Sequence, residues 1–278
     1  MTDQAYYNGV LTPYDAATVP LCDRSIFFGE AVYDVVLGSG GIPYQLTEHL
    51  RRLRKNAEAI GLSNIPSEKE LREAIEMTIQ EADADSFILY IQLSGNQRRR
   101  THSRCADSAN LLITVTSGEI PSELSFVSAI TLPDLRHGYC NIKTINLLGS
   151  VLSICDAEKC GCDLAIFEKG GIVTEASHAN VSIITNDVLI THPRDTSVLP
   201  GISEDNLIRI CNEIGIPHRE REFSIHEMMS ADLVLITSTT KLIRVCDKIN
   251  GIPLDIRNIA TAHRIFSTMR QNLLDKTS

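Results

Sequence analysis

The residue types able to do chemistry gather in a few places along the chain, and the first is a lysine. Lys143 stands in Asn141-Ile142-Lys143-Thr144-Ile145-Asn146-Leu147-Leu148-Gly149-Ser150, set between apolar residues just where a helical pattern begins. A lysine drawn out of water gives up its proton more readily, and a free amine attacks carbonyl carbon, as Schiff-base lysines do. The other reading is an ordinary lysine whose stem covers apolar surface while its head reaches water. Downstream come a carboxylate in the run Ile172-Val173-Thr174-Glu175 and a helix start, Leu199-Pro200-Gly201-Ile202-Ser203, whose free amides suit an anion. Leu233-Val234-Leu235-Ile236 empties into Thr237-Ser238-Thr239-Thr240, four hydroxyls in a row that suit phosphate oxygens or, more simply, a turn. Upstream, Arg98-Arg99-Arg100-Thr101-His102-Ser103-Arg104 is the densest positive charge of the chain. It reads either as a solvated loop or as a trap in which guanidinium forks and an imidazole hold a carboxylate.

Composition bounds what such residues serve. At 278 residues the chain is long enough for two domains, or one large one, with a real core. A formal net charge of -9 disfavours nonspecific binding to nucleic acid or anionic membrane, while a local basic pocket can still take a small anion. The start, Met1-Thr2-Asp3-Gln4-Ala5-Tyr6-Tyr7, has neither a basic nor an apolar leader region, and no apolar run is long enough to span a bilayer. The expectation is a cytoplasmic protein with no membrane or nucleic-acid partner. The 8 cysteines form no CxxC pair and read as reduced thiols. His137 with Cys140, and Cys160-Gly161-Cys162, lack a second pair at zinc-ligand spacing, so no metal is expected.

The positioning elements follow from pattern. Asn8-Gly9 signals a hairpin, and the strand-like run 31–37 turns at Gly38-Ser39-Gly40-Gly41 into Ile42-Pro43-Tyr44; without GxGxxG spacing this is a hairpin, not a phosphate loop. Thr47 is the expected N-cap of a helix carrying Leu50, Leu53, Ala57 and Ile60 on one face and closed by Gly61. Ser67-Glu68-Lys69-Glu70 has the capping-box pattern and opens a helix with Leu71, Ala74, Ile75, Thr78 and Ile79 as its buried stripe. Strands are expected at 87–93 and 111–116. Polar and turn-forming residues then mark a linker at 118–124, dividing a domain 1–117 from a domain 125–278. Beyond a strand at 126–132, Leu147, Leu148, Val151, Leu152 and Cys155 recur at helical spacing, which predicts a helix packing that face inward. Short strands at 164–167, 172–175, 180–185 and 188–191 follow, with Gly170-Gly171 and Asn186-Asp187 as hairpin turns. Ser203 is the expected N-cap of a helix through Leu207, Ile210, Cys211 and Ile214, and the tail 259–274 reads as helical.

Taken jointly, a lysine able to form an imine, a strand carboxylate, a helix start and a hydroxyl-rich turn match what pyridoxal phosphate needs. Motifs along nearly the whole chain carry a resemblance: Asp23-Arg24, Phe28-Gly29-Glu30-Ala31-Val32-Tyr33-Asp34, Glu48-His49-Leu50-Arg51-Arg52-Leu53, Lys143 with Asn146-Leu147-Leu148, Thr174-Glu175, Gly201-Ile202-Ser203 and Thr237-Ser238-Thr239-Thr240. By these the chain resembles the fold-type IV pyridoxal-phosphate enzymes, the group that includes branched-chain and D-amino-acid transaminases and aminodeoxychorismate lyase. The resemblance implies an α/β (α+β) fold of two domains, a small N-terminal α/β domain and a larger C-terminal one with a β-barrel-like sheet and helices. It implies that Lys143 carries the cofactor, Glu175 faces its ring nitrogen and Leu199 backs the ring. Arg52, Ile202, Ser203, Ser238 and Thr239 would hold the phosphate.

Within the group the nearest likeness is to D-amino-acid transaminases, because Arg100-Thr101-His102 falls where their Arg-x-His carboxylate trap lies and Tyr33 matches its tyrosine partner. Val35, Thr240 and Ser177 would complete the substrate site. The implied partners are a D-amino acid, a 2-oxo acid and a second copy of the chain, since in that family the Arg-x-His loop comes from the neighbouring subunit. Ser203 stands where threonine is usual, and Ser177-His178-Ala179 replaces a serine-rich turn, so His178 would alter side-chain preference. The alternatives are a branched-chain L-amino-acid transaminase, aminodeoxychorismate lyase, or a non-catalytic protein that binds small anions.

Overall fold

The computed structural model describes residues 2–95, 99–103 and 108–277; Arg98, Arg104 and Cys105 lie outside them. The described residues form a mixed α/β chain in two compact units. The division falls between Ile120 and Pro121, and residues 142–146 and 273–277 belong with the first unit. The lysine segment is therefore part of unit 1.

Unit 1 contains β1 (Gln4–Tyr7), β2 (Val10–Pro13), α1 (Arg24–Phe28), β3 (Ala31–Ser39), β4 (Ile42–Pro43), α2 (Leu46–Ala59), α3 (Glu68–Ala82), β5 (Ser86–Ser94) and β6 (Asn110–Ser117). Its strands form one sheet in the order β2-β1-β6-β5-β3-β4. The tight turns are those expected: Asn8 and Gly9 both take positive φ, as do Gly40 and Gly41, the backbone that short hairpins require. Period-two alternation sends Val32 and Val36 of β3, Leu89 and Ile91 of β5, and Ile113 and Val115 of β6 to one face. There they pack with Leu50, Leu53 and Ala57 of α2 and Leu71, Ile75 and Ile79 of α3. Ser67 caps α3 in the expected capping box with Glu70. The start of α2 differs from expectation: Gln45, in left-handed backbone at φ 54, is the N-cap, and Thr47 lies inside the helix. Tyr44 and Gln45 make the turn out of β4, so the helix has already begun at Leu46 when Thr47 is reached. Helix α1 has no counterpart in the sequence reading, being too short to show a period; Asp23 caps it by accepting from the Ser25 amide.

Unit 2 contains β7 (Ser125–Pro133), α4 (Leu148–Lys159), β8 (Leu164–Lys169), β9 (Ile172–Ala176), β10 (Asn180–Thr185), β11 (Val188–Thr191), α5 (Ile202–Glu213), β12 (His218–Glu220), α6 (Ile225–Ser230), β13 (Leu233–Ser238), β14 (Leu242–Ile249) and β15 (Ile252–Pro253). Helix α7 (Ile259–Lys276) starts here and ends in residues of unit 1. Among the described residues the sheet runs β12-β11-β10-β13-β14-β7-β8-β9, with β15 on β14. Its core includes Val127, Ile166, Val173, Val181, Ile183, Val234 and Ile236. No helix among the described residues is long and apolar enough to cross a membrane.

Two expectations for unit 2 are corrected. The apolar stripe of α4 faces outward: Leu148 is 71% and Leu152 56% exposed, with Leu147, Val151 and Cys155 also on the surface. The helix buries Ser150, Ser153 and Ala157 instead, and Ala157 packs with Ile130 and Ala165. Small side chains let α4 lie close on its sheet, which no apolar period signals. Helix α5 begins two residues earlier than read: Gly201 is its N-cap and Ser203 lies in the first turn. A side chain at Gly201 would collide with the Asn180 amide, so a glycine stands there.

Candidate active site

In unit 1 the lysine is held by the sheet. Tyr33 N–H donates to the Lys143 carbonyl at 2.9 Å, Ile145 N–H to the Ala31 carbonyl at 3.2 Å, and Thr144 bridges Val32. This pins the segment against β3 and brings Nζ of Lys143 to 4.5 Å from the Tyr33 ring centroid, where the ring face attracts an ammonium. Tyr33 stacks on Tyr90 at 5.4 Å, and burial, with the neighbouring Tyr33, pushes the Tyr90 hydroxyl well above the usual phenol range. Asn146 closes the segment by donating to the Gly29 carbonyl at 3.0 Å, and Gly29 at φ 59 leaves no room there for a side chain. Val35 follows two positions along the strand on the same face as Tyr33.

On the helix side of β3, Asp34 is completely buried and takes both forks of Arg52, Nε at 2.8 Å and Nη2 at 2.7 Å, together with His49 Nδ1 at 2.8 Å. Burial alone would raise its carboxyl, but Arg52 and His49 more than reverse this and hold it well below the usual range. The structure thus brings Arg52 to Asp34. Arg100 and His102 converge elsewhere, on the ring of Phe28, each 5.4 Å from its centroid, whereas Tyr33 pairs with Tyr90. Arg24 shares that ring at 4.6 Å, bonds Glu30 at 2.7 Å and donates to the Thr101 carbonyl at 2.9 Å, so the cationic loop is fastened to α1.

In unit 2 the centre is Glu175, 7% exposed near the end of β9. One carboxylate oxygen pairs with Nη1 of Arg136; the other accepts from the Leu199 amide at 3.0 Å and from Asn180 Nδ2 at 3.5 Å. Arg136 also forks onto Asp134 at 2.9 and 2.6 Å, donates to the Ser197 carbonyl at 3.0 Å and lies 4.5 Å over the Phe167 ring. Its burial disfavours the cation, yet Asp134 and Glu175 raise it above the usual guanidinium range, so the pair stays charged. Sequence reasoning passed over Arg136; an acid two residues before an arginine, directly after a strand, is the one local signal it carries. Asn180 joins the parts by donating also to the Leu199 carbonyl at 2.8 Å. Ile202 and Ser203 are buried in the first turn of α5, and Ser177 is buried with its hydroxyl 3.2 Å from His178 Nδ1. Ser238 closes β13, and Thr239 and Thr240 form the turn after it, all half-buried. Thr237 Oγ1 is buried without a hydrogen-bond partner.

These groups suit the cofactor that the lysine chemistry implies. Unit 1 by itself offers a primary amine for an aldehyde, and unit 2 by itself offers a carboxylate locked to a guanidinium for a pyridine nitrogen, and uncapped amides at a helix start with a row of hydroxyls for a phosphate. The orphaned Thr237 hydroxyl is an observed feature that fits the same use.

Comparison with known proteins agrees. The family described as Amino-transferase class IV matches residues 31–249. A D-alanine aminotransferase of Listeria monocytogenes is 36% identical over 88% of this chain and 87% of its own. Among solved structures, a branched-chain aminotransferase from Thermoproteus uzoniensis superimposes with a TM-score of 0.89 at 24% identity, covering 99% of this chain and 96% of that one. A Legionella pneumophila protein provisionally named 4-amino-4-deoxychorismate lyase gives 0.85 at 22% identity, over 93% and 97%. By the family match over residues 31–249 and the identity to D-alanine aminotransferase, the chain belongs to the class IV aminotransferase family and is a pyridoxal-phosphate-dependent aminotransferase.

Proposed function

We propose that the enzyme moves the amino group between D-amino acids, such as D-alanine or D-glutamate, and 2-oxo acids, such as pyruvate or 2-oxoglutarate. The observation that carries this is the identity shared with D-alanine aminotransferase across most of both chains, supported by the presence of Arg100-x-His102 and Tyr33. In this reading Lys143 anchors pyridoxal phosphate covalently, Glu175 with Arg136 behind it holds a proton on the ring nitrogen, and Leu199 backs the ring. Arg52, Ile202, Ser203, Ser238 and Thr239 take the phosphate. When bound, the cofactor supplies the electron sink that stabilises negative charge at the substrate alpha carbon. Lys143 moves the alpha proton as general base and acid. Arg100, His102 and Tyr33 hold the alpha-carboxylate, while Val35, Thr240 and Ser177 line the remainder. Orientation then decides which alpha hydrogen meets the lysine. Donor and acceptor use the site in turn, a ping-pong cycle.

The proposal includes a homodimer in which the partner supplies the Arg-x-His loop. The outward apolar stripe of α4 supports a second copy, because a helix with Leu148, Val151 and Leu152 in water is a surface that association would cover. Sedimentation of the wild-type enzyme is expected to give a dimer. A cytoplasmic setting belongs to the same reading, and the free described cysteines suit it.

The test is a half-reaction panel. Holoenzyme is mixed with D-alanine, D-glutamate, L-leucine and 4-amino-4-deoxychorismate while loss of the aldehyde form of the cofactor is followed, with Lys143→Ala as the inactive control. Rapid conversion by the D-amino acids is expected. Rapid reaction of L-leucine alone would establish a branched-chain enzyme, pyruvate release from aminodeoxychorismate a lyase, and a protein that takes up no cofactor an anion-binding protein. Each of those outcomes overturns the D-specific reading.

A further inference from the structure

Beside Glu175, unit 2 buries a second acid that the transamination steps do not use. Glu204 lies in the first turn of α5 and is 4% exposed. The Ser182 hydroxyl, from the floor of β10, donates to Oε1 at a long 3.4 Å. Arg194, the base that acts on it from the segment before α5, is already paired with Asp205, and among the described residues no cationic nitrogen forms an ion pair with Glu204. The other charged groups acting on it are acids, Asp205 on α5 and Glu175 on β9. A carboxyl sealed from water without a counter-charge is far more stable as the neutral acid than as the anion.

We propose that Glu204 is kept protonated so that the start of α5 can accept a phosphate dianion, and that its ionisation drives the phosphate out. The inference rests on the reading of Ile202 and Ser203 as phosphate holders. Burial first, then Asp205 and Glu175, push the Glu204 carboxyl up to about 8, with Arg194 opposing. At neutral pH the first turn thus presents free amides with no negative charge from Glu204, while the charge of Asp205 is paired with Arg194. Above that value a carboxylate stands one residue from Ser203, in the same low-dielectric surroundings. Phosphate binding then requires Glu204 to take its proton back, which weakens affinity by about tenfold for each pH unit. The positive end of the helix alone would favour an ionised acid here; exclusion of water outweighs it.

The experiment titrates apo-enzyme with pyridoxal phosphate, and separately with pyridoxal, at several pH values from 6 to 10, roughly two units either side of the Glu204 value, for wild type and Glu204→Gln. Pyridoxal phosphate affinity of the wild type is expected to fall about tenfold per pH unit relative to the Gln variant above pH 8, while pyridoxal, which lacks the phosphate, separates the two proteins by less than about threefold. Equal pH profiles for pyridoxal phosphate, or the same divergence with pyridoxal, would overturn the proposal. A second readout needs no variant: the infrared pH-difference spectrum of wild-type enzyme should show the carbonyl stretch of a buried carboxylic acid at neutral pH and its loss in alkali. Absence of that band at neutral pH overturns the inference whatever the cofactor does. If neither protein binds pyridoxal phosphate, the proposed function fails, and the infrared band still decides the state of Glu204.

Discussion

Asp34 under α2 and Glu204 in the first turn of α5 are both carboxyls shut away from solvent, and they are driven in opposite directions. Asp34 has an arginine fork and an imidazole at 2.7 to 2.8 Å and is held ionised. Among the described residues Glu204 has a long contact to one hydroxyl and no ion pair, and burial, with Asp205 and Glu175 and against Arg194, pushes its carboxyl up to about 8. Depth of burial is similar, so depth does not decide the charge; the partner does. Glu175 shows the same rule beside Glu204, since Arg136 makes it one arm of an ion pair. A site that must hold a proton on a ring nitrogen and also accept a phosphate can use both kinds of acid, one as counter-ion and one as a silent neighbour.

The comparison can be broken most severely at Asp34. Asp34→Asn removes the carboxylate that Arg52 and His49 share, and removal of one member of a buried ion pair costs about 3 to 5 kcal/mol, to be read by urea denaturation at neutral pH. Because Asp34 is depressed, its contribution is present above the ordinary carboxylate value near 3.8 and is lost as pH falls below it. The Asn variant should therefore lack that part of the acid limb of the wild-type stability curve. A curve parallel to wild type below pH 4 would show that Asp34 is not the paired anion described.

Glu204 gives the mirror experiment. Its folded value of about 8 lies above the ordinary 4.5, so folding retains a proton, and this group makes stability fall as pH rises between those values. The slope is at most about 1.4 kcal/mol per pH unit, and Glu204→Gln, neutral throughout, should lack it and become the more stable protein in alkali. Thermal melts at each pH measure this, and parallel curves would show Glu204 to be ionised. The smallest effect is expected from Ser182→Ala, which takes away the hydroxyl that donates to Glu204: about 1 kcal/mol, with the pH dependence of cofactor affinity retained. Loss of that dependence would make Ser182, not exclusion of water, the cause of the retained proton.

Local pattern was enough for several elements. The Asn8-Gly9 hairpin, the glycine turn after β3 and the capping box of α3 each follow from neighbouring residues, because turn conformation and end-capping are satisfied within a few positions. It failed where the deciding partner lay far along the chain. The apolar residues of α4 recur at helical spacing and the helix is there, yet a period says only that one face differs, not that this face meets the chain's own core. Arg136 is 39 positions from Glu175, and nothing near either residue predicts their pairing.

The sequence by itself determined the chemistry on offer and the family: Lys143 in its motif, a strand acid at Glu175, the glycine-led start of α5, and the hydroxyl row at 237–240. Only the tertiary structure decided which acids are charged. Asp34 and Glu204 are each one carboxyl in the sequence, and their opposite states arise because folding brings Arg52 and His49 to the first and, among the described residues, no cation at bonding distance to the second. Residue type sets a group's ordinary affinity for a proton; water exclusion and the counter-charge at three ångströms, which exist only in the folded chain, set the rest.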